Sequence, residues 1–577
     1  MVTKRGSDVP NQSRREFLAA LGIGAVALGA GGAVLARRLA QPTDAEIVEE
    51  MARDLGAEYT ELVRRGFYAG RSGELQLLVA PFSTSNYSQE SRSLVPSDPR
   101  TSHSQVWKYL ERVPITVYAP GLVKPGTFDD SATLADVAPT ASTLIKHDFE
   151  TPDGAALPGV TRPKRAPKVV VVFVIDGGGW NVLNQWPDAW PQLKALMRKS
   201  AVYRNVLMGS FPAVTASAHA TIGTGAFPRE HGISGHFLRK PDGIRKAYGE
   251  PGEADPFVLR SPTLADSWAE ATGNKAWIGE IGYQVWHVGM IGRASSVPNR
   301  KPVAVYFDEE STTEWQPQNP EYYRLPRVVP SRALLDRYSQ VYQRPTEFAQ
   351  FDPKGAKYNC CSPPVVKYQG DLIEAVFRHE PVGWDVVPDL LFINYKAPDY
   401  AGHLYNMERE QTGIALRAVD AQLGRLVNQL ESMFEPGEFA LIATADHGQC
   451  PLPNTAGGVR LDPIQLGDDI EAAFGSGSGP KLVENVRPAE VFLNDKYVSG
   501  RDIDTVEIAA FLRDYTYGEN YHLYRGIPRD SVQWNRRSQR EFAAVLPSDF
   551  IEDLGTRAPA SYGPGLFADT DTPVPKI

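Results

Sequence analysis

The sequence predicts an α/β protein: a doubly wound, mainly parallel sheet with helices on both faces and an inserted cap. The continuous β-branched run Val169–Ile175 is typical of a strand buried on both faces. Similar apolar runs at 390–394 and 439–444 lie on either side of an amphipathic helical pattern over 416–433. Strands that alternate with helices indicate crossover connections, and therefore a mainly parallel sheet.

The chain divides into three regions along its length. Residues 1–42 carry a signal-like pattern, and residues 43–160 form an N-terminal segment to which no role is assigned, with a helical pattern near its start. Residues 161–577 hold the strands and helices of the predicted sheet. Within about 240–385 the pattern loosens into stretches rich in Pro, Tyr, Trp and Gln. We expect sheet elements and the inserted cap there.

Composition and charge restrict the classes of function. The chain has 577 residues, of which 42% are hydrophobic and 22% charged, so a folded protein with a sizeable core is expected. Its formal net charge is −9, and loss of residues 1–36, with four basic and two acidic side chains, would make it −11. A nucleic-acid groove needs a basic stripe, so none is expected. Bound divalent ions could still make the chain receptive to an anionic substrate.

The N-terminus resembles a twin-arginine export signal. Residues 13–18 read Ser-Arg-Arg-Glu-Phe-Leu. The stretch from Phe17 to Ala36 carries no charged residue. Small residues at 34–36 offer a cleavage site. The alternative is a retained anchor, because about twenty uncharged residues can span a bilayer. Both interpretations predict export by the twin-arginine machinery to the periplasm, cell surface or medium, with membrane contact only if the signal is uncleaved.

Polar side chains follow four of the apolar runs. Asp176 comes after the first strand and before three glycines, Thr215 lies at an apparent helix start, Asp399 precedes His403 by four residues, and Asp446 precedes His447. In an open α/β sheet, side chains at the carboxyl ends of the strands meet in one crevice. We therefore expect these four segments to converge, although each has a plainer interpretation, such as a helix cap at Asp176 or Thr215.

Neighbouring residues are expected to play lesser parts. Ser217 is a competing hydroxyl, but it would lie inside the first helical turn rather than at its mouth, where the field is positive. His219 is expected to pack against or support the site. The remaining histidines without such context are expected to be structural or surface residues: His103, His147, His287 and His379.

The order of these groups resembles the alkaline phosphatase superfamily, and within it the type I phosphodiesterase/nucleotide pyrophosphatase branch. The stretch Phe211–Ile233 is similar to that branch over nearly its full nucleophile region, and the similarity covers about 170–240 and 385–577. The resemblance implies a phosphoester hydrolase acting on a phosphorylated small molecule, with two divalent ions, most often zinc. Residues 161–577 would then be the catalytic domain.

The resemblance also implies roles for individual residues. Thr215 would be the nucleophile, forming a phosphothreonine. One zinc ion would be held by Asp176, Thr215, Asp446 and His447, and the other by Asp399, His403 and a C-terminal histidine.

Two positions depart from the family pattern. Where relatives carry an asparagine that contacts a phosphoryl oxygen, this chain has His236, which is expected to donate in its place with added pH dependence, the alternative being that the contact is lost. In the C-terminal motif Tyr562 stands where relatives have the histidine, and His522 lies 40 residues upstream. With two protein ligands, the Asp399/His403 ion is expected to bind weakly, and Tyr562→His to strengthen it.

Two other functions are alternatives to the hydrolase. A sulfatase needs a Cys/Ser-x-Pro-x-Arg motif, and the stretch Cys361–Val365 lacks the arginine. A degenerate, non-catalytic family member could instead serve as a binding protein, an alternative that the missing C-terminal histidine and the histidine at position 236 both favour.

Overall fold

A ten-stranded sheet lies at the centre of the protein in a computed structural model of the chain. The structure describes residues 42–85, 100–285, 291–294, 301–308, 312–342, 361–477, 479–494, 504–521, 529, 531–556, 565–566 and 570–575. The predicted export signal therefore lies outside the described residues, apart from position 42. The chain forms two compact units, Met1–Ile47 and Val48–Ile577, and the sheet belongs to the second.

The strands account for the apolar runs of the sequence. In chain order they are β1 (Leu75–Val79), β2 (Thr84–Ser85), β3 (Arg112–Tyr118), β4 (Gly126–Phe128), β5 (Ala132–Thr133), β6 (Val169–Ile175), β7 (Ala201–Leu207), β8 (Phe237–Lys240), β9 (Gly243–Lys246), β10 (Ile278–Ile281), β11 (Val303–Asp308), β12 (Glu314–Pro317), β13 (Asp389–Tyr395), β14 (Phe439–Ala445), β15 (Arg460–Leu461), β16 (Val483–Arg487), β17 (Glu490–Leu493) and β18 (Phe542–Pro547).

The described helices occupy the intervals between the strands. In chain order they are α1 (Asp44–Leu55), α2 (Ala57–Gly66), α3 (Lys108–Glu111), α4 (Val137–Ile145), α5 (Trp180–Gln185), α6 (Pro191–Met197), α7 (Thr215–Thr224), α8 (Pro228–His231), α9 (Leu264–Ala271), α10 (Arg332–Val341), α11 (Pro363–His379), α12 (Ala397–Tyr405), α13 (Glu410–Met433), α14 (Pro453–Ala456), α15 (Pro463–Phe474), α16 (Thr505–Arg513), α17 (Tyr517–Asn520), α18 (Val532–Arg536) and α19 (Ile551–Thr556). Within the described ranges, no helix is both long enough and apolar enough to cross a membrane.

The central sheet has the order β12-β11-β10-β13-β6-β14-β3-β7-β4, with β5 also paired to β7. Strands β13 and β14 both pair parallel to β6, as β10 does to β13 and to β11. The exceptions in this sheet are β3, antiparallel to β14 and β7, and β12, antiparallel to β11. The predicted mainly parallel α/β fold is confirmed.

The three middle strands are buried along their whole length. In β6 the side chains of Val171 and Phe173 join a cluster with residues of α5, α6, α11 and α13, whereas Val170 and Val172 point to the opposite face and are also buried. Helix α4 contacts β6 and β14. Burial on both faces explains why these strands have no polar alternation.

Regions outside the family resemblance also contribute strands to this sheet. The N-terminal segment 43–160 supplies β3, β4 and β5, and the loosely patterned region 240–385 supplies β10, β11 and β12. A second, four-stranded sheet has the order β16-β17-β1-β18. The boundaries of the catalytic domain and its cap stay a prediction.

Candidate active site and metal-ligand cluster

The loop after β6 brings Asp176 against the loops that follow β13 and β14. Gly177 has φ +68°, and a Cβ atom there would lie 2.8 Å from the Cα of Asp399. A Cβ at Gly179 would lie 2.6 Å from the Cα of Gly448. The three glycines therefore permit both a left-handed turn and a close approach of three loops.

Thr215 is the first residue of α7, and its side chain is fully buried. Its Oγ1 lies 3.3 Å from Nε2 of His447. The Ser217 hydroxyl instead donates to the carbonyl oxygens of Val214 at 3.0 Å and Pro212 at 3.3 Å. Of the two hydroxyls, only that of Thr215 faces the polar cluster.

Asp446 and His447 follow the last residue of β14. Asp446 Oδ1 accepts hydrogen bonds from the backbone N–H groups of Gly177 at 2.9 Å and His447 at 3.0 Å. The Nδ1 atom of His447 lies 2.8 Å from the carbonyl oxygen of Gly448, to which it donates. Its Nε2 therefore presents a lone pair to the site, 3.4 Å from Asp446 Oδ2 and 3.7 Å from Asp176 Oδ1.

Asp399 and His403 lie one turn apart on α12, as their spacing predicts. Oδ2 of Asp399 is 3.3 Å from Nε2 of His403. Nδ1 of His403 lies 2.9 Å from the carbonyl oxygen of Thr101, to which it donates. This hydrogen bond orients the ring so that Nε2 faces the carboxylate and the site.

His103, expected to be a structural or surface residue, lies against this pair. Its Nε2 is 3.1 Å from Nε2 of His403 and 3.3 Å from Oδ1 of Asp399. Its ring stacks on that of His447 with centroids 3.6 Å apart, and its Nδ1 lies 2.6 Å from the carbonyl oxygen of Ala213. The short sequence Ser-His-Ser has no periodicity or motif that marks this position.

Lys396 is a second residue that sequence reasoning missed. Its buried Nζ lies 2.5 Å from Oδ2 of Asp399 and 3.3 Å from Oδ1 of Asp176, and it donates to Thr215 Oγ1 at 3.4 Å. A lysine three residues before Asp399, directly after a buried strand, is the only signal that the sequence offers. An ammonium group thus lies between two of the predicted metal-binding segments.

The other histidines divide into neighbours of the site and residues apart from it. His219 has Nδ1 2.9 Å from the Thr215 carbonyl oxygen and Nε2 2.8 Å from Asn394 Nδ2, so both ring nitrogens are engaged in support of the site. His236 is half-buried and acts electrostatically with Lys396 and Asp399. His379 is exposed, and His147 contacts Ser267. His287, His522 and Tyr562 lie outside the described residues.

Burial and neighbouring charges act against each other on the pKa values of Asp399 and Lys396 and in the same direction on that of Asp446. Burial opposes ionisation of Asp399, but His403, Lys396 and His103 outweigh it and hold the pKa of Asp399 well below its usual range. Burial likewise opposes the charged form of Lys396, but Asp176 and Asp399 outweigh it and raise the lysine pKa. Burial, followed by the neighbouring Asp176 carboxylate, raises the pKa of Asp446 well above its usual range.

The donor set fits divalent ions. Oδ1 of Asp399 and Oδ2 of Asp446 are buried and accept no hydrogen bond from any described residue, whereas Oδ2 of Asp399 is paired with the Lys396 ammonium group. Asp176, Asp399 and Asp446 supply three carboxylates, and among the described residues they face a single ammonium group, that of Lys396. Negative charge is therefore in excess in this buried cluster. Three groups of carboxylate and imidazole donors lie close enough to bind an ion: His103, Asp399 and His403; Asp176, His219 and Asp446; Asp176, Asp399 and His447. Carboxylate oxygen and imidazole nitrogen are ligands that zinc accepts.

The chain is similar in sequence to proteins of a known family. The family model for type I phosphodiesterase / nucleotide pyrophosphatase matches residues 170–526, more than half of the chain. The chain is 23% identical over 404 residues to a protein named calcium-transporting ATPase of Myroides odoratus, which is 60% of this chain and 72% of that protein. It is also 23% identical over 339 residues to the alkaline phosphatase PhoV of Synechococcus elongatus, which is 50% of this chain and 60% of that one.

Among solved structures, wild-type alkaline phosphatase PafA matches with a TM-score of 0.48 at 15% identity, over 67% of this chain and 85% of that chain. The family match includes Asp176, Thr215, Asp399 and the Asp446–His447 pair, whereas His103 precedes it. The chain therefore belongs to the type I phosphodiesterase / nucleotide pyrophosphatase family of the alkaline phosphatase superfamily, whose members are phosphoester hydrolases.

Proposed function

We propose that this protein is an exported hydrolase that cleaves phosphoester bonds of small molecules with Thr215 as its nucleophile and two zinc ions as cofactors. The observation that carries the proposal is the convergence of three buried carboxylates and four imidazole rings, one of which lies 3.3 Å from a hydroxyl at the start of a helix. Export by the twin-arginine route to the periplasm, cell surface or medium rests on the sequence of residues 1–36.

Two sets of residues would hold the ions. Asp176, Asp446 and His447, with the Thr215 hydroxyl, would form one site, since Nε2 of His447 lies within 3.7 Å of both carboxylates and of the hydroxyl. Asp399 with His403 would supply ligands to the other. When bound, two divalent ions stabilise the charge that develops on the attacking, leaving and non-bridging oxygens in phosphoryl transfer.

The protein itself prepares Thr215 for attack. The hydroxyl lies at the N-terminus of α7, where the helix dipole favours negative charge. The ammonium group of Lys396 lies 3.4 Å from Oγ1 and favours the same charge. Burial excludes most water from around the oxygen, so both electrostatic effects are stronger than they would be at the surface.

The reaction proceeds in two displacements. The Thr215 oxygen forms a bond to phosphorus, and the bond to the substrate's ester oxygen breaks, so that the alcohol leaves and a phosphothreonine is formed. The oxygen of a water molecule then forms a bond to phosphorus as the bond to the threonine oxygen breaks, and a proton from the water returns to that oxygen. Phosphate is released from a monoester substrate, and a monoester from a diester. Covalent catalysis of this kind divides one difficult step into two easier ones.

Two further side chains would act on the substrate. His236, in the place of the family asparagine, would donate a hydrogen bond to a phosphoryl oxygen. Lys396 could contact the same phosphoryl group once ions screen it from Asp176 and Asp399. The choice between monoesters, diesters and pyrophosphates then depends on residues around the leaving group.

Metal removal tests this function directly. Purified mature protein is assayed with p-nitrophenyl phosphate and bis-p-nitrophenyl phosphate, before and after prolonged dialysis against EDTA, and again after zinc is restored. We expect turnover of at least one ester, its loss on chelation and its recovery with zinc. No turnover of either ester by protein with two bound ions would favour the binding-protein alternative, and turnover that survives EDTA would exclude the metal-dependent mechanism.

A further inference from the structure

We infer that the ion at Asp399 and His403 takes its third protein ligand from the N-terminal segment, through Nε2 of His103, in place of a C-terminal histidine. The inference rests on the proposed function to the extent that an ion is bound at this pair. It adds a ligand from a part of the chain that the family match does not reach.

The distances among the three residues match a shared ion. The Nε2 atoms of His103 and His403 are 3.1 Å apart, and each lies 3.3 Å from one oxygen of Asp399. Two ligand atoms on one tetrahedral zinc ion, with bonds of ~2.05 Å, are separated by about 3.3 Å. The two nitrogens are thus spaced as two ligands of one ion would be, and Asp399 presents Oδ1 to His103 and Oδ2 to His403 at a similar distance. One donor atom from each of the three residues lies within 4.8 Å of the other two.

The tautomers of the two histidines argue against a plain hydrogen bond between them. Nδ1 of His103 lies 2.6 Å from the carbonyl oxygen of Ala213, and Nδ1 of His403 lies 2.9 Å from that of Thr101. A carbonyl can only accept, so each Nδ1 carries the proton, and in the neutral rings both Nε2 atoms carry lone pairs. Two lone pairs 3.1 Å apart repel each other unless a cation lies between them.

The hydrogen bonds at Nδ1 are also those of a metal ligand. A histidine that binds an ion commonly donates its other N–H to a backbone carbonyl, which fixes the ring's tautomer and orientation. His103 and His403 both meet this condition, and so does His447, whose Nδ1 donates to Gly448. All three rings are therefore oriented by the same kind of hydrogen bond, from Nδ1 to a backbone carbonyl oxygen.

The segment that carries His103 forms hydrogen bonds with the residues next to the predicted metal ligands. Thr101 donates from its backbone N–H to the carbonyl oxygen of His403 at 3.3 Å and from Oγ1 to that of Gly402 at 2.9 Å. On the other side, the N–H of Cys450 donates to the carbonyl oxygen of Ser102 at 3.1 Å. His103 is therefore held between the loops that carry both ion sites, and only 1% of its surface is exposed.

This assignment changes what is expected of the C-terminus. The sequence motif led to the expectation of a weak ion site, because Tyr562 stands where relatives have a histidine. With His103 as third ligand, the Asp399/His403 site reaches the three or four protein ligands that are usual for zinc. Tyr562→His should accordingly leave zinc affinity unchanged, whereas a tenfold gain would show that a ligand is missing.

The decisive variants are His103→Ala and His403→Ala, with His379→Ala as the matched control because His379 is exposed on α11. Zinc per chain is measured by mass spectrometry after gel filtration in buffered zinc. We expect two ions in the wild type and in His379→Ala, and one in each of the other two variants. The zinc affinity of the Asp399/His403 site should fall in both variants by more than ~10–100-fold, the usual effect of removing a residue that only hydrogen-bonds to a metal ligand.

The outcomes separate this inference from the proposed function. Two ions bound with unchanged affinity in His103→Ala would overturn the inference alone. No ion bound by the wild type would overturn the proposed function as well. Because zinc content is read without turnover, an inactive but fully loaded variant could not be mistaken for a ligand loss.

A second measurement needs no destabilising variant. Wild-type protein with ¹⁵N-labelled histidine is loaded with ¹¹³Cd, and cadmium–nitrogen couplings are counted by NMR. We expect three coupled Nε2 atoms, two of them on one cadmium ion, and the same count in His522→Ala. A single coupled histidine on each ion, or loss of the third coupling in His522→Ala, would overturn the assignment of His103.

Discussion

Nε2 of His103 lies 3.1 Å from Nε2 of His403, although the two residues are 300 positions apart in the chain. The contact joins the N-terminal segment to the helix after β13 and brings a second imidazole nitrogen against the Asp399/His403 pair. It also weakens the case for a degenerate family member, because that alternative depended on an incomplete ligand set.

Thr215→Ala should reduce kcat by ~10³-fold or more, because it removes the nucleophilic oxygen while the carboxylate and imidazole ligands stay in place. The melting temperature should change little, since alanine is a good helix former and α7 begins at this position. Ser217→Ala is the matched control: its hydroxyl bonds only to backbone carbonyls of the preceding turn, so kcat should stay near the wild-type value. Near-wild-type kcat in Thr215→Ala would show that another group attacks phosphorus.

Lys396→Met should lower kcat/KM by ~10²–10³-fold, the usual cost of losing one charge-stabilising donor at a transition state. The lysine lies within 3.4 Å of the Thr215 hydroxyl and is paired with Asp399 and Asp176. Steady-state kinetics at saturating zinc measure the effect, and the exposed Lys199 offers a control in Lys199→Met. If Lys396→Met kept wild-type kcat/KM, the lysine would serve only to balance the buried carboxylates.

His236 should bind substrate as a neutral imidazole. Burial, reinforced by the positive charge of Lys396, lowers its pKa to about 3, so it does not titrate between pH 5 and 8. The added pH dependence expected from the sequence therefore should not arise from this residue. The pH profiles of kcat/KM for wild type and His236→Asn should have the same shape over that range, while His236→Ala raises KM. An inflection present in the wild type and absent from His236→Asn would contradict this.

Glu111→Gln should make stability less sensitive to pH. Burial raises the pKa of Glu111 from its ordinary value of 4.5 to about 8, and the hydrogen bond from the Gly209 N–H only partly offsets this. Between these values the unfolded carboxyl has lost its proton and the folded one keeps it, so the free energy of unfolding falls as pH rises, by ~1.4 kcal/mol per unit. Glutamine has no carboxyl group that could titrate, so the variant lacks this contribution to the pH dependence. Urea unfolding at pH 5 and 8 should show that the variant gains free energy of unfolding relative to the wild type as pH rises. If the difference in free energy of unfolding between the two proteins were the same at both pH values, the pKa of Glu111 would lie near its ordinary value.

Local sequence patterns were sufficient to predict the three middle strands of the central sheet. The runs that predicted strands at 169–175, 390–394 and 439–444 correspond to β6, β13 and β14, because strands buried on both faces must be apolar throughout. The rule that side chains meet at the carboxyl ends of such strands led to Asp176, Asp399 and Asp446. Their side chains lie in one cluster of closely spaced donor atoms.

The parts that were missed depend on contacts distant in sequence. Strand β3 pairs with β14 and β7, and no feature of the run Arg112–Tyr118 indicates which partners it takes. His103 is placed by hydrogen bonds that Thr101 donates to Gly402 and His403 and that Ser102 accepts from Cys450, residues some 300 to 350 positions away. Neither its neighbours nor the family motif could have predicted that position, since both describe only local sequence.

X-ray diffraction at the zinc absorption edge tests the central claim most directly. Crystals grown with zinc should show two anomalous peaks about 4 Å apart. One peak should lie among Asp176, Asp446, His447 and the Thr215 hydroxyl, and the other among Asp399, His403 and His103. A single peak, or none within these two groups of side chains, would contradict a two-ion phosphoester hydrolase.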